Sequence, residues 1–193
     1  DNNGNITDDI RIRMVLPTIR HIMQEKGRLV ICSHMGRPKG KPVDGLSLAP
    51  VAAHLAALLD SPVAMAPDCI GGEVEALVDS MADGEIVMLE NLRFHPEETK
   101  GDLEFSKNLA KLGDIYINDA FGTAHRAHAS TVGVTKHFKE CRAGLLMEKE
   151  LDNLGAMMSD PERPFVAVLG GAKVGSKVDV ILNLLDRVDT LLL

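Results

Sequence analysis

The stretch Leu29-Val30-Ile31-Cys32-Ser33-His34-Met35-Gly36-Arg37-Pro38-Lys39-Gly40 decides how the chain is read. Its first four residues are continuously apolar, the pattern of a short strand buried on both faces of a parallel sheet. The remainder, through Gly45, is rich in glycine and proline and breaks the strand into a loop. Upstream, Ile12, Val15, Leu16, Ile19 and Ile22 recur at helical spacing, with Asp8 or Asp9 as a cap, and stop before Gly27. Downstream, Ser47 caps a helix through about Leu59, and 62–66 is a second strand. A helix near 72–81 leads to a third strand at 85–89, and a helix at 103–112 to a fourth strand at 114–117. A polar loop covers 122–130, and a long helix runs from about Leu145 to Met158. A strand at 165–169, a glycine turn, a helix at about 174–185 and the opening of another strand at 190–193 complete the pattern. Strands alternating with helices over short links predict an α/β fold, a doubly wound parallel sheet of Rossmann type, followed by the beginning of a second α/β domain. The charged, proline-rich run Ser159-Asp160-Pro161-Glu162-Arg163-Pro164 is the expected boundary.

Composition narrows the function classes. With 193 residues, 45% of them hydrophobic, the chain can bury a substantial core. No apolar run approaches the roughly 18 residues that span a bilayer. Three scattered cysteines (Cys32, Cys69, Cys141) predict a reducing, cytoplasmic setting rather than a disulfide framework. The net charge of −7 argues against nonspecific nucleic-acid binding, and five Phe, one Tyr and no Trp leave few platforms for stacked bases.

The basic residues nevertheless collect. Ligands of parallel α/β sheets bind outside the carboxyl ends of the strands. The first strand is followed by His34 and Arg37, the third by Arg93 and His95, and the fourth by His125, Arg126 and His128. Arg37, Arg93 and Arg126 are therefore expected at one edge of the sheet. Guanidinium groups stay charged at any working pH and match phosphate or carboxylate oxygens bidentately. The expected ligand is a small, multiply charged anion such as a phosphorylated acid. The bland alternative pairs each arginine with a neighbouring carboxylate, for Arg93 either Glu90 or Glu97. A metal reading of His125 and His128 is weak, because no glutamate follows at the spacing of a zinc protease. A second constellation, Gly170-Gly171-Ala172-Lys173-Val174-Gly175-Ser176-Lys177, lies between a strand and a helix, where backbone N–H groups favour phosphate. Its Ser176-Lys177 order reverses that of a Walker loop.

Four stretches, taken together and in order, resemble the phosphoglycerate kinase family: Ser33-His34-Met35-Gly36-Arg37-Pro38; Leu89-Glu90-Asn91-Leu92-Arg93-Phe94-His95; Asn118-Asp119-Ala120-Phe121-Gly122-Thr123-Ala124-His125-Arg126-Ala127-His128; and Leu169-Gly170-Gly171-Ala172-Lys173-Val174. The resemblance runs over essentially the whole chain; Met35 stands where the family usually has leucine. It implies a phosphoglycerate-binding N-terminal domain at 1–144, an interdomain helix at 145–160 and the start of a nucleotide-binding C-terminal domain at 161–193. It implies an ATP:3-phosphoglycerate phosphotransferase that works as a cytoplasmic monomer by hinge closure, without nucleic-acid or membrane partners. Arg11, His34, Met35, Gly36, Arg37, Arg93 and Arg126 are implied as substrate-binding, with Arg11 also reaching the transferring phosphoryl group. Gly170, Gly171, Ala172, Lys173 and Lys177 are implied as contacts of ATP or ADP, with Lys173 at the transferring group. Magnesium accompanies the nucleotide, its ligand expected beyond residue 193. The family's first strand is expected ahead of Asp1, so residues 1–193 alone are expected to be inactive and unstable. Two competing readings are a noncatalytic phosphate-binding module and a metal hydrolase using His125 and His128.

Overall fold

The computed structural model describes residues 6–159, 161–170 and 178–192. It divides into two compact units, 1–148 and 149–193. In the first, helix α1 (Ile10–Gln24) precedes strand β1 (Leu29–Ile31), and α2 (Ala49–Leu59) precedes β2 (Ala64–Met65). Helix α3 (Gly72–Asp79) leads to β3 (Ile86–Met88), then a 3-10 turn at Leu92–Phe94 and two short helices, α4 (Pro96–Lys100) and α5 (Leu103–Ala110). Strand β4 (Ile115–Asn118), helix α6 (Phe121–Ala124), a π turn at Ala129–Gly133, a 3-10 turn at Val134–His137 and β5 (Glu140–Ala143) follow. Helix α7 (Leu145–Ser159) enters the second unit, which holds β6 (Val166–Val168), α8 (Val178–Leu185) and β7 (Thr190–Leu192).

Among the described residues every strand pair is parallel, in three sheets ordered β1-β3-β2, β4-β5 and β6-β7. Residue alternation along β3 shows why helices cover both faces. Ile86 and Met88 pack in one apolar cluster with Leu16 of α1 and Leu55 of α2. Val87 and Leu89 pack in the other with Val74 of α3 and Phe105 of α5. Burying both faces of so short a strand requires the near-continuous apolar run seen in the sequence.

Caps refine the expectations. Asp8, not Asp9, accepts the Ile10 N–H at the start of α1 (2.9 Å). Asp9 instead bridges Arg13 and His54, both at 2.8 Å, so it ties α1 to α2. Ser47 accepts from the Ala49 N–H at 3.2 Å, as expected of a residue at the head of α2. The polar loop at 122–130 is more ordered than its composition suggests, since α6 and the π turn lie within or against it. Strand β5 and helix α4 carry no strong sequence signal and appear only in the fold. No helix among the described residues is long and apolar enough to cross a membrane.

Candidate functional site

The site begins with Asn91, whose side chain is fully buried. Its amide nitrogen donates to the Met35 and Leu46 carbonyls (2.8 and 2.9 Å), and its oxygen accepts from the Met35 and Arg93 N–H groups (3.3 and 3.1 Å). All four valences are used, so one side chain fastens both ends of the glycine-rich loop to the turn that carries Arg93. Within that loop Gly36 has φ +64°, and a Cβ there would lie 2.8 Å from the Leu46 side chain, so only glycine fits without strain. The Gly36 carbonyl accepts from Arg93 Nη1 at 2.9 Å. Arg93 Nε is buried and, among the described residues, has no hydrogen-bond partner.

The alternative in which Glu90 neutralises Arg93 is overturned. Glu90 accepts from Ser47 Oγ (2.6 Å) and from the Leu48 and Asn91 N–H groups (2.8 and 2.7 Å), so its carboxylate is engaged at the start of α2. Around Arg93 the dominant charges are positive. Burial lowers its pKa first, Arg126 pushes the same way, Glu98 opposes, and Arg37 adds a further push downward. His34 feels the same field. Its pKa falls from 6.5 to about 4, through burial first and then the charges of Arg93, His128, Arg126 and Arg11. His34 is therefore neutral at pH 7 and can donate or accept one hydrogen bond without adding charge.

Arg11, His34, Arg37, Arg93 and Arg126 thus share one electrostatic neighbourhood, although they come from α1, the loop after β1, the turn after β3 and the segment after α6. Arg11, Arg37 and Arg126 are exposed or partly so, while His34 and Arg93 are partly buried. Met35 is placed by Asn91, and its side chain packs against the core. Reasoning from strand ends alone finds Arg37, Arg93 and Arg126 but misses Arg11, which sits in the first turn of a helix. It also misses Asn91 and Glu98, and it weighs His128 only as a metal ligand. His128 Nδ1 lies 3.5 Å from Glu98 Oε1, and His125 is exposed.

Asp68, Cys69 and His95 bring three potential metal ligands within 4.8 Å of one another. Hydrogen bonds already engage them. Asp68 Oδ1 accepts the Cys69 N–H and lies 2.6 Å from His95 Nε2, while the Cys69 thiol donates to the Glu90 carbonyl at 3.0 Å. Burial, and then the Asp68 charge, push the thiol pKa up, and a protonated thiol is a poor ligand. The cluster joins the β3 turn to its neighbours rather than offering a cation site.

In the second unit, Gly170 stands just after β6, ahead of α8, and a Cβ there would meet no described atom within 4 Å. Gly171, Ala172, Lys173 and Lys177 lie outside the described residues.

The fold and the cationic cluster define a class of protein, a parallel α/β chain with basic side chains gathered beyond its strand ends. The chain belongs to the phosphoglycerate kinase family, whose model, described as "Phosphoglycerate kinase", matches residues 1–193. The phosphoglycerate kinase of Chlorobium limicola is 58% identical over 193 residues, covering 100% of this chain and 49% of that protein. That of Desulfotalea psychrophila is 55% identical over 193 residues, with 100% and 49% covered. The solved phosphoglycerate kinase of Coxiella burnetii superposes with a TM-score of 0.84 at 40% identity, covering 99% of this chain and 48% of that one. The Pyrococcus horikoshii structure gives 0.86 at 35% identity, with 99% and 49% covered. The chain spans about half the length of the curated relatives it matches.

Proposed function

We propose that the chain contributes the acid-substrate pocket and part of the nucleotide site of an ATP:3-phosphoglycerate phosphotransferase. One observation carries this reading: Arg93 is half-buried and fastened at one nitrogen, its buried Nε has no partner among the described residues, and the charges of Arg126 and Arg37 act on it against that of Glu98, with no carboxylate paired to it. Cations gathered in this way repel one another unless an anion joins them. A phosphorylated carboxylic acid supplies negative charge at both ends and matches several guanidinium forks.

Phosphoryl transfer requires positioning and charge neutralisation more than acid–base chemistry. The acceptor carboxylate is already anionic, so no side-chain nucleophile or base is needed. In the proposed roles Arg37, Arg93 and Arg126 bind the acid, neutral His34 adds a hydrogen bond, and Arg11 reaches toward the transferring group. Gly170, Gly171, Ala172 and Lys177 hold ATP or ADP, and Lys173 neutralises charge developing on the phosphoryl oxygens. These nucleotide roles rest on the family resemblance. Magnesium would accompany the nucleotide, and no residue of this chain is assigned to it. Hinge closure, as the resemblance implies, would exclude water that competes with the acceptor. The domain roles proposed are acid binding by 1–144, connection by the helix at 145–160 and nucleotide binding from 161. A monomer in the cytoplasm is the proposed setting; the unbridged Cys32, Cys69 and Cys141 fit a reducing compartment.

The test is a coupled assay with ATP and 3-phosphoglycerate on the full-length gene product. Arg126→Ala is expected to raise the Michaelis constant for the phosphoglycerate roughly 10–100-fold, the weight of a lost charged hydrogen bond, and to leave that for ATP nearly unchanged. Lysine at 126 should rescue only in part, because it lacks the planar fork. Equal loss for both substrates would sink the assignment, and binding without turnover would favour a noncatalytic module.

A further inference from the structure

Glu98 is a carboxylate that the proposed reaction does not use, and it is only 2% exposed. A buried charge is costly unless its oxygens are satisfied. Here Oε2 accepts the Ser130 N–H at 3.0 Å, Oε1 accepts the Ser130 hydroxyl at 2.7 Å, and His128 Nδ1 lies 3.5 Å from Oε1. All three partner groups belong to residues within four positions of Arg126. Glu98 itself sits on α4, five residues after Arg93. One short helix therefore joins the two arginine-bearing segments.

The rest of α4 is built for the same close approach. Gly101, at its C-cap, has φ +66°, and a Cβ there would lie 2.7 Å from the Ala127 carbonyl oxygen. Beyond Arg126, the Thr131 hydroxyl donates to the Arg126 carbonyl oxygen, and the Tyr116 hydroxyl donates to the Ser130 carbonyl at 2.8 Å. The segment 126–131 is thus gripped at successive backbone positions, and Glu98 supplies the carboxylate among these contacts. Its negative charge also opposes, at Arg93, the repulsion from Arg126 and Arg37.

We propose that Glu98 is a positioning residue of the anion pocket: its carboxylate fixes Ser130 and His128 so that Arg126 stands within reach of the ligand held by Arg93, and its charge lets these cations share one site. The inference rests on the proposed phosphoglycerate pocket and adds a residue that acts through Arg126, its neighbours and the field at Arg93.

The experiment is a set of variants in the full-length gene product, each assayed for two Michaelis constants, one for the acid substrate and one for ATP. Glu98→Ala is expected to raise the former roughly 10-fold, the weight of lost charged hydrogen bonds, with the latter within about twofold. Glu98→Gln keeps an acceptor for the Ser130 N–H and a donor for its hydroxyl but not the charge, so it should recover the part of the loss that comes from positioning and leave the part that comes from charge. Should Glu98→Ala fail to fold, Ser130→Ala removes one bond alone and is expected to give a smaller rise in the same constant. In an Arg126→Ala background, Glu98→Ala should add little, because residues that act as one unit are not additive. Additive losses, an equal effect on both substrates, or an unchanged constant in Ser130→Ala would each overturn the proposal. If Arg126→Ala alone has no effect on the acid substrate, the pocket assignment is at fault and this inference falls with it; an effect of Arg126→Ala without one of Glu98→Ala refutes the inference alone.

Discussion

His34 reports the field of the pocket. Its pKa, held at about 4 by burial and by four neighbouring basic groups, lies below the ordinary 6.5 of an unfolded chain. Between those values the unfolded chain binds a proton that the folded chain refuses, so stability rises with pH across this window. The contribution is complete above pH 6.5 and is lost as pH falls toward 4. His34→Gln should therefore flatten the difference in unfolding free energy between about pH 7 and about pH 5, measured by denaturant titration. An unaltered pH dependence would show that other groups govern the acid side. Glu98 and Asn91 teach a different point at this scale. Both look like surface polar residues in a charged, turn-rich stretch, yet both are buried, because their partners lie 32 and 45–56 positions away in sequence.

At the scale of elements, short pieces are fixed by what they touch. Helix α4 has five residues, too few to be stable from local hydrogen bonds alone, and exists because Pro96 starts it, Gly101 ends it and Glu98 anchors it to another loop. Strand β5, Glu140-Cys141-Arg142-Ala143, alternates charged and small residues over only four positions, is exposed throughout, and forms by pairing with β4. The glycine-rich loop after β1 depends in the same way on Asn91. Asn91→Leu keeps the volume but leaves the Met35 N–H and carbonyl, the Leu46 carbonyl and the Arg93 N–H without these partners. At about 1–3 kcal/mol for each group left dry, the expected loss of stability is about 3–5 kcal/mol, since loop groups recover some water. Calorimetry or denaturant unfolding checks this, and a loss under about 1 kcal/mol would mean that the loop holds itself.

At the scale of the whole molecule, the first turn of α7 is tied to α1 and to the segment after β4 by polar contacts. Thr18 of α1 donates to Asp119 Oδ2 (2.6 Å) and accepts the Leu145 N–H (3.0 Å), while Asp119 Oδ1 accepts the Met147 N–H (3.0 Å). Free N–H groups at a helix start need such acceptors. Asp119 belongs to the segment that also carries Arg126, so one motif supports both the candidate site and the start of the long helix. Catalysis, as proposed, needs the nucleotide side as well. Lys173→Ala in the full-length gene product should depress kcat more than it raises the Michaelis constant for ATP, the mark of an interaction that strengthens in the transition state. A change confined to that constant would reduce Lys173 to a plain binding residue.

What could be read along the chain was whatever has a short period or a fixed place next to a strand. The apolar runs at Leu29–Ile31 and Ile86–Met88 and the helical spacing of Ile12 to Ile22 report burial through neighbours in sequence, and they imply a parallel sheet covered on both faces. Once that sheet is inferred, Arg37 and Arg93 fall at strand ends by topology. The convergence of Arg11 with them, the use of Glu90 at α2 rather than at Arg93, and the burial of Glu98 against Ser130 had no local signature. A charge or hydrogen bond is satisfied by whatever packing brings within about 3 Å, and that neighbour is set by how helices and loops stack in space. Periodicity is a property of the chain, whereas a polar partner is a property of the fold.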